Sequence, residues 1–154
     1  TRDIARQILR HRSFSFQEFS QRYANPLVCL NFIPREARLQ DTKNRQNSID
    51  VSDENIQRVW KMKQEEVWNM CVNAYKWAIE NGLAKEVSRS VLPEGLMESK
   101  LYVHGTIRSW IHYIEVRTDP STQKEHRLLA QECALQISTH FPNIFSKDFS
   151  TTDM

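Results

Sequence analysis

From Asp53 to Gly82 the sequence runs without a proline or an internal glycine, and apolar residues recur at helical spacing: Ile56, Trp60, Val67, Met70, Cys71, Ala74 and Ala78. Asp53 is suited to cap such a helix, Glu54 places an acid in its first turn, and Asn81-Gly82 ends it. No other stretch carries so long a pattern, so any fold of this chain is organised by this one helix. Its tryptophans, Trp60, Trp68 and Trp77, read as core or subunit packing and not as a cofactor box.

The flanking segments are shorter and mixed. Asp3 to Leu9 reads as a helix with Ile4, Ala5, Ile8 and Leu9 on one face. Phe14 and Phe16 then alternate with Ser13, Ser15 and Gln17, which predicts extended chain. In extended chain Glu18, Ser20 and Arg22 share one face and Phe19 and Tyr23 the other. Pro26 and Pro34 are breakers; Leu27 to Ile33 is apolar enough for a strand, Glu36 to Gln40 continues extended, and Asp41 to Asn47 is a polar loop. Beyond the long helix, Ala84 to Val91 reads as a short helix stopped by Pro93, and residues 94–104 as irregular or extended around Leu101-Tyr102-Val103. Thr106 to Arg117 is helical, with Ile107, Trp110, Ile111 and Ile114 as its apolar stripe and Arg108, His112 and Glu115 opposite. Arg117 falls beside Trp110 at the edge of that stripe, where an arginine needs an anion or strong acceptor to offset desolvation. A last helix spans Ser121 to Phe141, before Pro142. The class is α+β.

Composition excludes several functions. The 154 residues suit a single domain, and 40% hydrophobic with 26% charged residues is ordinary for a globular chain. A net charge of +2 is too small for a polyanion partner, so a nucleic-acid module built on the basic residues is disfavoured. No apolar run is long enough to span a membrane, and no signal peptide opens the chain. Cys29, Cys71 and Cys133 are widely spaced, which fits reduced thiols in a cytoplasmic setting; Cys71 and Cys133 read as core residues, and no metal site is expected. The three glycines, Gly82, Gly95 and Gly105, stand alone, which rules out a P-loop and a Gly-x-Gly-x-x-Gly turn. Any nucleotide must be held by side chains and helix ends.

The candidate site residues are basic. Gln7-Ile8-Leu9-Arg10-His11-Arg12 is followed, after seven residues, by Ser20-Gln21-Arg22-Tyr23. Arginine forks bind two phosphate oxygens at once, so this density of guanidinium and imidazole reads as a site for phosphorylated ligands. Arg89, Arg108 and Arg117 stand at helix ends or beside apolar residues and not in charge runs. Together with the opening motif they read as one wall of a composite site.

The pattern Gln-x-x-Arg-His-Arg, seven residues, Ser-x-Arg-Tyr resembles the signature of the flavin-dependent thymidylate synthases, the ThyX family. Arg89-Ser90-Val91-Leu92-Pro93 resembles the family's Arg-x-x-Leu-Pro, residues Gly105 to Arg117 its glycine–arginine–histidine–arginine helix, and Gln123-Lys124-Glu125 its Gln-x-Glu, all in the family's order. The stretch from Arg10 to Tyr23 is similar to the version in large DNA viruses of algae, and a viral source implies the host cytoplasm. The resemblance implies a small sheet packed with long helices, assembled as a homotetramer with shared active sites. It implies reductive methylation of dUMP to dTMP, with FAD as cofactor and NADPH and methylenetetrahydrofolate as co-substrates. It assigns Arg10, His11, Arg12, Glu18, Thr106, Arg108 and His112 to FAD. It assigns Gln7, Arg10, Glu18, Phe19, Ser20, Gln21, Arg22, Arg89 and Arg117 to dUMP, the Glu18 to Arg22 stretch serving a neighbouring subunit's site, and Arg117 to catalysis at the uracil. Ser20 is implied to be a substrate contact and not a nucleophile. Thr106 stands where many members carry asparagine, which alters that flavin contact. A start at Thr1, close to the motif, reads as a piece of a longer protein lacking its N-terminal part; the alternative to a working enzyme is therefore a non-catalytic flavin- or nucleotide-binding fragment.

Overall fold

The computed structural model describes residues 1–145. In chain order the elements are α1 (Arg2–Ile8), β1 (Ser15–Glu18), α2 (Pro26–Cys29), β2 (Arg38–Gln40), β3 (Ser48–Asp50), α3 (Glu54–Glu80), α4 (Lys85–Ser88) leading into a 3₁₀ turn at Arg89–Val91, β4 (Leu101–His104), α5 (Ile107–Arg117) and α6 (Lys124–His140). β1 pairs with β4 and β2 with β3, so the sheet structure is two separate two-stranded pieces in an α+β chain. The residues group into two compact units. The first comprises 1–10, 16–38 and 50–103; the second comprises, among the described residues, 11–15, 39–49 and 104–145.

The first unit is built on α3. The Asp53 carboxylate accepts from the backbone N–H of Asn55 (2.8 Å) and Ile56 (3.2 Å), a cap that contributes about 1 kcal/mol. The helix ends as expected, with Gly82 in the left-handed region at φ 77°, where a side chain would be strained. Tyr75 of α3 lies in a core with Leu30, Leu92 and Met97, flanked by Phe19, Leu27, Trp68 and Ile79. Trp68 stacks on Phe32 with ring centroids 5.2 Å apart. Two glutamines, Gln57 and Gln64, treat the segment before β2 as a strand partner. Arg35 N–H donates to Gln64 Oε1 (2.7 Å) while Gln64 Nε2 donates back to Arg35 C=O (2.8 Å). Ala37 N–H donates to Gln57 Oε1 (2.7 Å) while Gln57 Nε2 donates to Ala37 C=O (2.9 Å) and to Val51 C=O (2.9 Å).

Two expectations for this unit need correction and one is narrowed. The tryptophans expected in core or subunit packing divide: Trp68 packs against the core, whereas Trp60 is 45% exposed and Trp77 61%; Met70 is 73% exposed, and the residues that α3 buries are Gln64, Tyr75 and Ala78. The strand expected at Leu27 to Ile33 begins instead as the short helix α2. Asn25 caps it, accepting from Leu27 N–H at 3.0 Å, and Pro26 fits its first turn with its fixed φ and missing donor. The extended chain through Arg22 stops at Glu18. Ser20 to Ala24 turn instead, with Tyr23 and Ala24 N–H donating to Ser20 C=O. The shared face of Glu18, Ser20 and Arg22 therefore does not form.

The second unit is made by α5 packed on α6. Tyr113 and Ile114 are buried from α5; His126, Ala130 and Ala134 are buried from α6, and the two alanines let the helices approach closely. Thr106 caps α5, its Oγ1 accepting from Ser109 N–H at 3.2 Å. Ile107, expected in the apolar stripe, is 38% exposed; Tyr113 takes the inner face instead. Cys71 of the first unit and Cys133 of the second are half-buried and not core residues; both are free thiols, as is the exposed Cys29.

Phe14 fills the space beside the start of α5, 4.8 Å from Trp110 and 5.8 Å from Tyr113 between ring centroids. Gly105 makes this possible, because a Cβ there would overlap the Phe14 ring, with Cε1 only 2.6 Å away. Gly105→Ala should therefore cost about 1–3 kcal/mol by overpacking. Urea denaturation checks this, and Phe14→Leu in the same background should recover part of the loss.

Candidate functional site

The central feature of the second unit is a contact between Arg117 and His11. Arg117 sits in the last turn of α5 and is half-buried. Its Nε–H donates to His11 Nε2 at 2.8 Å. Guanidinium has no acceptor, so His11 Nε2 must be unprotonated and the imidazole neutral. Its terminal nitrogens form no hydrogen bond or ion pair with the described residues. A positive charge thus stands partly out of water with one neutral partner and an unused end to its fork.

Aromatic rings fix the acceptor. His11 meets Tyr113 edge-on at 5.0 Å and His126 at 6.5 Å, and tilts against Phe14 at 6.4 Å. The Tyr113 hydroxyl is hydrogen-bonded to His126 Nε2 at 3.1 Å, and both residues are buried. Burial lowers the His11 pKa below its ordinary value, helped by the positive field of Arg117 and by His112. His126 is pushed down to about 4 by burial, then by Arg117 and His11. Burial pushes the Tyr113 hydroxyl up, and the nearby Cys133 adds to this. The rings are therefore neutral near pH 7, and the guanidinium keeps its charge.

The remaining candidates of this unit lie on its surface. Arg12, Arg108 and His112 are exposed and form no ion pair with the described residues. Thr106 uses its hydroxyl on the helix end and on Ser109 Oγ, 3.0 Å away. Cationic and imidazole donors without carboxylate partners are suited to a phosphorylated cofactor, so Arg12, Arg108, His112 and His11 fit a flavin nucleotide; Thr106 is already committed to the cap.

In the first unit a cavity of about 390 Å³ is lined by Arg2, Arg6, Gln21, Glu86, Arg89 and Ser90, with Leu92, Pro93, Glu94 and Met97. Arg89, half-buried on the 3₁₀ turn, forms no ion pair with the described residues. Gln21 is buried, its Nε2 donating to Met97 Sδ at 3.0 Å. Arg6 pairs with Glu94, and Arg22 pairs with Glu86 at 3.3 Å. The structure thus brings Gln21 and Arg89 together but turns other candidates to structural work. Glu18 accepts from Ser99 Oγ (2.9 Å) and lies 3.6 Å from Arg2 Nε. Phe19 packs on the core, and Ser20 Oγ accepts from Arg22 N–H at 3.3 Å within the turn. Gln7 and Arg10 sit at the end of α1, where Arg10 N–H donates to Gln7 C=O, and the Arg10 side chain is exposed without an ion pair among the described residues.

Tyr113 and His126 were missed by sequence reasoning as members of the Arg117 cluster. Tyr113 was findable, since it stands one helical turn before Arg117 on the same face. His126 was not, because only the packing of α6 on α5 brings it there. Arg2 and Arg6 of the cavity precede the motif and carried no signal.

Comparison with known proteins places these residues in a family context. Residues 1–143 match the family model described as thymidylate synthase complementing protein. A probable flavin-dependent thymidylate synthase of Paramecium bursaria Chlorella virus 1 is 49% identical over 144 residues, which is 94% of this chain and 65% of that protein. A flavin-dependent thymidylate synthase of Synechocystis is 48% identical over the same shares. The chain thus spans about two thirds (65%) of the length of the relatives it matches. Among solved structures, a UMP/dUMP methylase, PolB, from Streptomyces cacaoi bound with 5-Br UMP has the same fold, with a TM-score of 0.74 at 22% identity over 90% of this chain and 64% of that one.

The buried neutral His126 has a consequence for acid stability. Its folded pKa, about 4, lies below the ordinary 6.5, so the unfolded chain binds the proton more tightly. The stability it contributes is complete above 6.5 and is lost as pH falls toward 4. Comparing the denaturation midpoint of His126→Gln with that of the unsubstituted protein should show a smaller fall for the variant across that window.

Proposed function

Because the chain belongs to the thymidylate synthase complementing protein family, we propose that it carries the nucleotide- and flavin-binding residues of an FAD-dependent thymidylate synthase, which methylates dUMP to dTMP with methylenetetrahydrofolate and NADPH. The observation that carries this reading is Arg117: a half-buried guanidinium held at Nε by a neutral imidazole, with no carboxylate among the described residues. Methylation at C5 of uracil requires negative charge to build on the pyrimidine. A fixed, unneutralised guanidinium beside the ring stabilises that charge as it develops, more strongly where water is excluded. Arg117 is therefore assigned to the uracil of dUMP.

The cavity of the first unit supports the same ligand class. Arg89 and Gln21 line it with Ser90, which gives a monophosphate a guanidinium and hydrogen-bonding groups. The exposed Arg12, Arg108 and His112, with His11, suit the diphosphate and ring edges of FAD; when bound, FAD supplies the hydride chemistry, while the protein supplies orientation and charge. Gln7 and Arg10, at the end of α1, are kept as nucleotide contacts. The homotetramer is proposed from the exposed apolar residues of α3: Trp60, Val67, Met70 and Trp77 form a face that a lone chain leaves in water. Trp68 does not belong to that face, since it stacks on Phe32.

The second reading is a binding fragment without turnover. It is favoured by one observation, the 65% coverage of the relatives' length. A yellow protein after incubation with FAD, with a melting temperature raised by dUMP, is expected under both readings; dUMP-dependent NADPH oxidation with release of dTMP is expected only of the enzyme. A colourless protein indifferent to dUMP would reject both. Arg117→Lys keeps the charge but loses the planar fork, so it should lower kcat by at least about tenfold while changing dUMP affinity much less. Equal losses in both would remove Arg117 from a transition-state role.

A further inference from the structure

We propose that His11 is the positioning residue of Arg117: a neutral imidazole that takes the Nε–H, fixes the plane of the guanidinium and leaves its charge and both terminal nitrogens for the pyrimidine. The proposal rests on the assignment of Arg117 to the uracil and adds what holds it there.

The chemistry of the partner is the first argument. An arginine beside a carboxylate forms a paired fork that uses two donors and cancels the charge. An arginine beside a neutral imidazole spends one donor and keeps its charge. At 2.8 Å, His11 does the second. Elsewhere in the chain the ordinary pairing is found, as for Arg35 with Asp3 at 2.7 Å and Arg38 with Glu36 at 3.4 Å. The choice of an imidazole for Arg117 is therefore a local departure from that pairing.

The second argument is that the acceptor is itself held. Backbone hydrogen bonding ties Phe14 N–H to His11 C=O at 3.3 Å, and Phe14 is wedged against Trp110 and Tyr113. Tyr113 presents its ring edge to His11 and is pinned by His126 across the α5–α6 contact. Each ring restricts the next, so the Nε2 lone pair stays aimed at Arg117.

The contact has a pH limit. A protonated His11 has no lone pair at Nε2 and would set two cations face to face. The charged and titratable groups around it are Arg117, His112 and the Tyr113 hydroxyl on α5, and His126 and, beyond Tyr113, Cys133 on α6. Burial, Arg117 and His112 all resist protonation of His11, so the contact persists below the ordinary imidazole range and fails only on further acidification.

The test uses the full chain loaded with FAD, with dUMP as the probe. Calorimetric affinity for dUMP is measured from mildly alkaline to acid pH for the unsubstituted protein, His11→Gln and His11→Leu. The Gln carbonyl can accept the Nε–H but cannot titrate. Ratios of affinities between proteins at each pH cancel the titration of the dUMP phosphate. At alkaline pH His11→Leu should bind dUMP at least about tenfold more weakly than His11→Gln. Toward acid pH the unsubstituted protein should lose affinity relative to His11→Gln, by up to about tenfold per pH unit. In the free protein, nitrogen-15 NMR should find the His11 proton on Nδ1, and Arg117→Gln should raise the His11 pKa. A pH-independent ratio, equal binding by the Leu and Gln variants, or a proton on Nε2 would overturn the proposal. If the unsubstituted protein itself binds no dUMP, the functional reading fails and the proposal falls with it; a flat ratio with binding intact removes the positioning role alone.

Discussion

A guanidinium drawn partly out of water and partnered only by an imidazole is a demanding arrangement. Desolvation opposes the charge, and no counter-charge among the described residues offsets it. It persists because the surroundings leave neither side chain another place to go. Arg117 is fixed by the last turn of α5, and His11 by the ring packing of Phe14, Tyr113 and His126. Those rings in turn depend on Gly105, whose missing side chain admits Phe14, and on Ala130 and Ala134, whose small size seats α6 against α5. The local fold of the second unit is the set of conditions under which that one hydrogen bond can exist.

The arginines divide into two populations. Arg2, Arg6, Arg22, Arg35 and Arg38 each lie against a glutamate or aspartate. Arg10, Arg12, Arg89, Arg108 and Arg117 have no such partner among the described residues. Paired surface arginines contribute little to stability and offer little to a ligand, because their forks are already used. Of the arginines in the family motifs, Arg22 alone has such a partner among the described residues; Arg45, Arg58 and Arg127, outside the motifs, lack one as well.

The boundaries of the longer helices were readable because their signals are local. Asp53 and Gly82 bracket α3 through backbone chemistry, and Thr106 opens α5 in the same way. The edge position of Arg117 also followed from the turn angle of one helix. What failed were inferences in which pattern had to stand in for packing. Alternation through Phe14 and Phe16 was extrapolated past Glu18, where Ser20 starts a turn. The apolar run after Pro26 looked like a strand, although Asn25-Pro26 is a helix-start signal whose meaning was overridden by hydrophobicity. The tryptophans of α3 read only as core or subunit packing, and the side the helix buries is marked by Gln64, a polar residue no hydrophobic count selects. His126 could not be read at all, since its role exists only through the contact of α6 with α5.

Gln57 and Gln64 carry a consequence for timing. The peptide groups of Arg35 and Ala37 find their partners in side chains of α3 that follow them by 29 and 20 residues, and not in a neighbouring strand. Their exchange with deuterium therefore reports on the integrity of a distant helix. While α3 remains wound, two amides in a segment with little regular structure are sheltered; when its first turn frays, Ala37 is released first, and Arg35 only once the unwinding reaches Gln64 in the third turn. At these two peptide groups the chain takes its clock from α3.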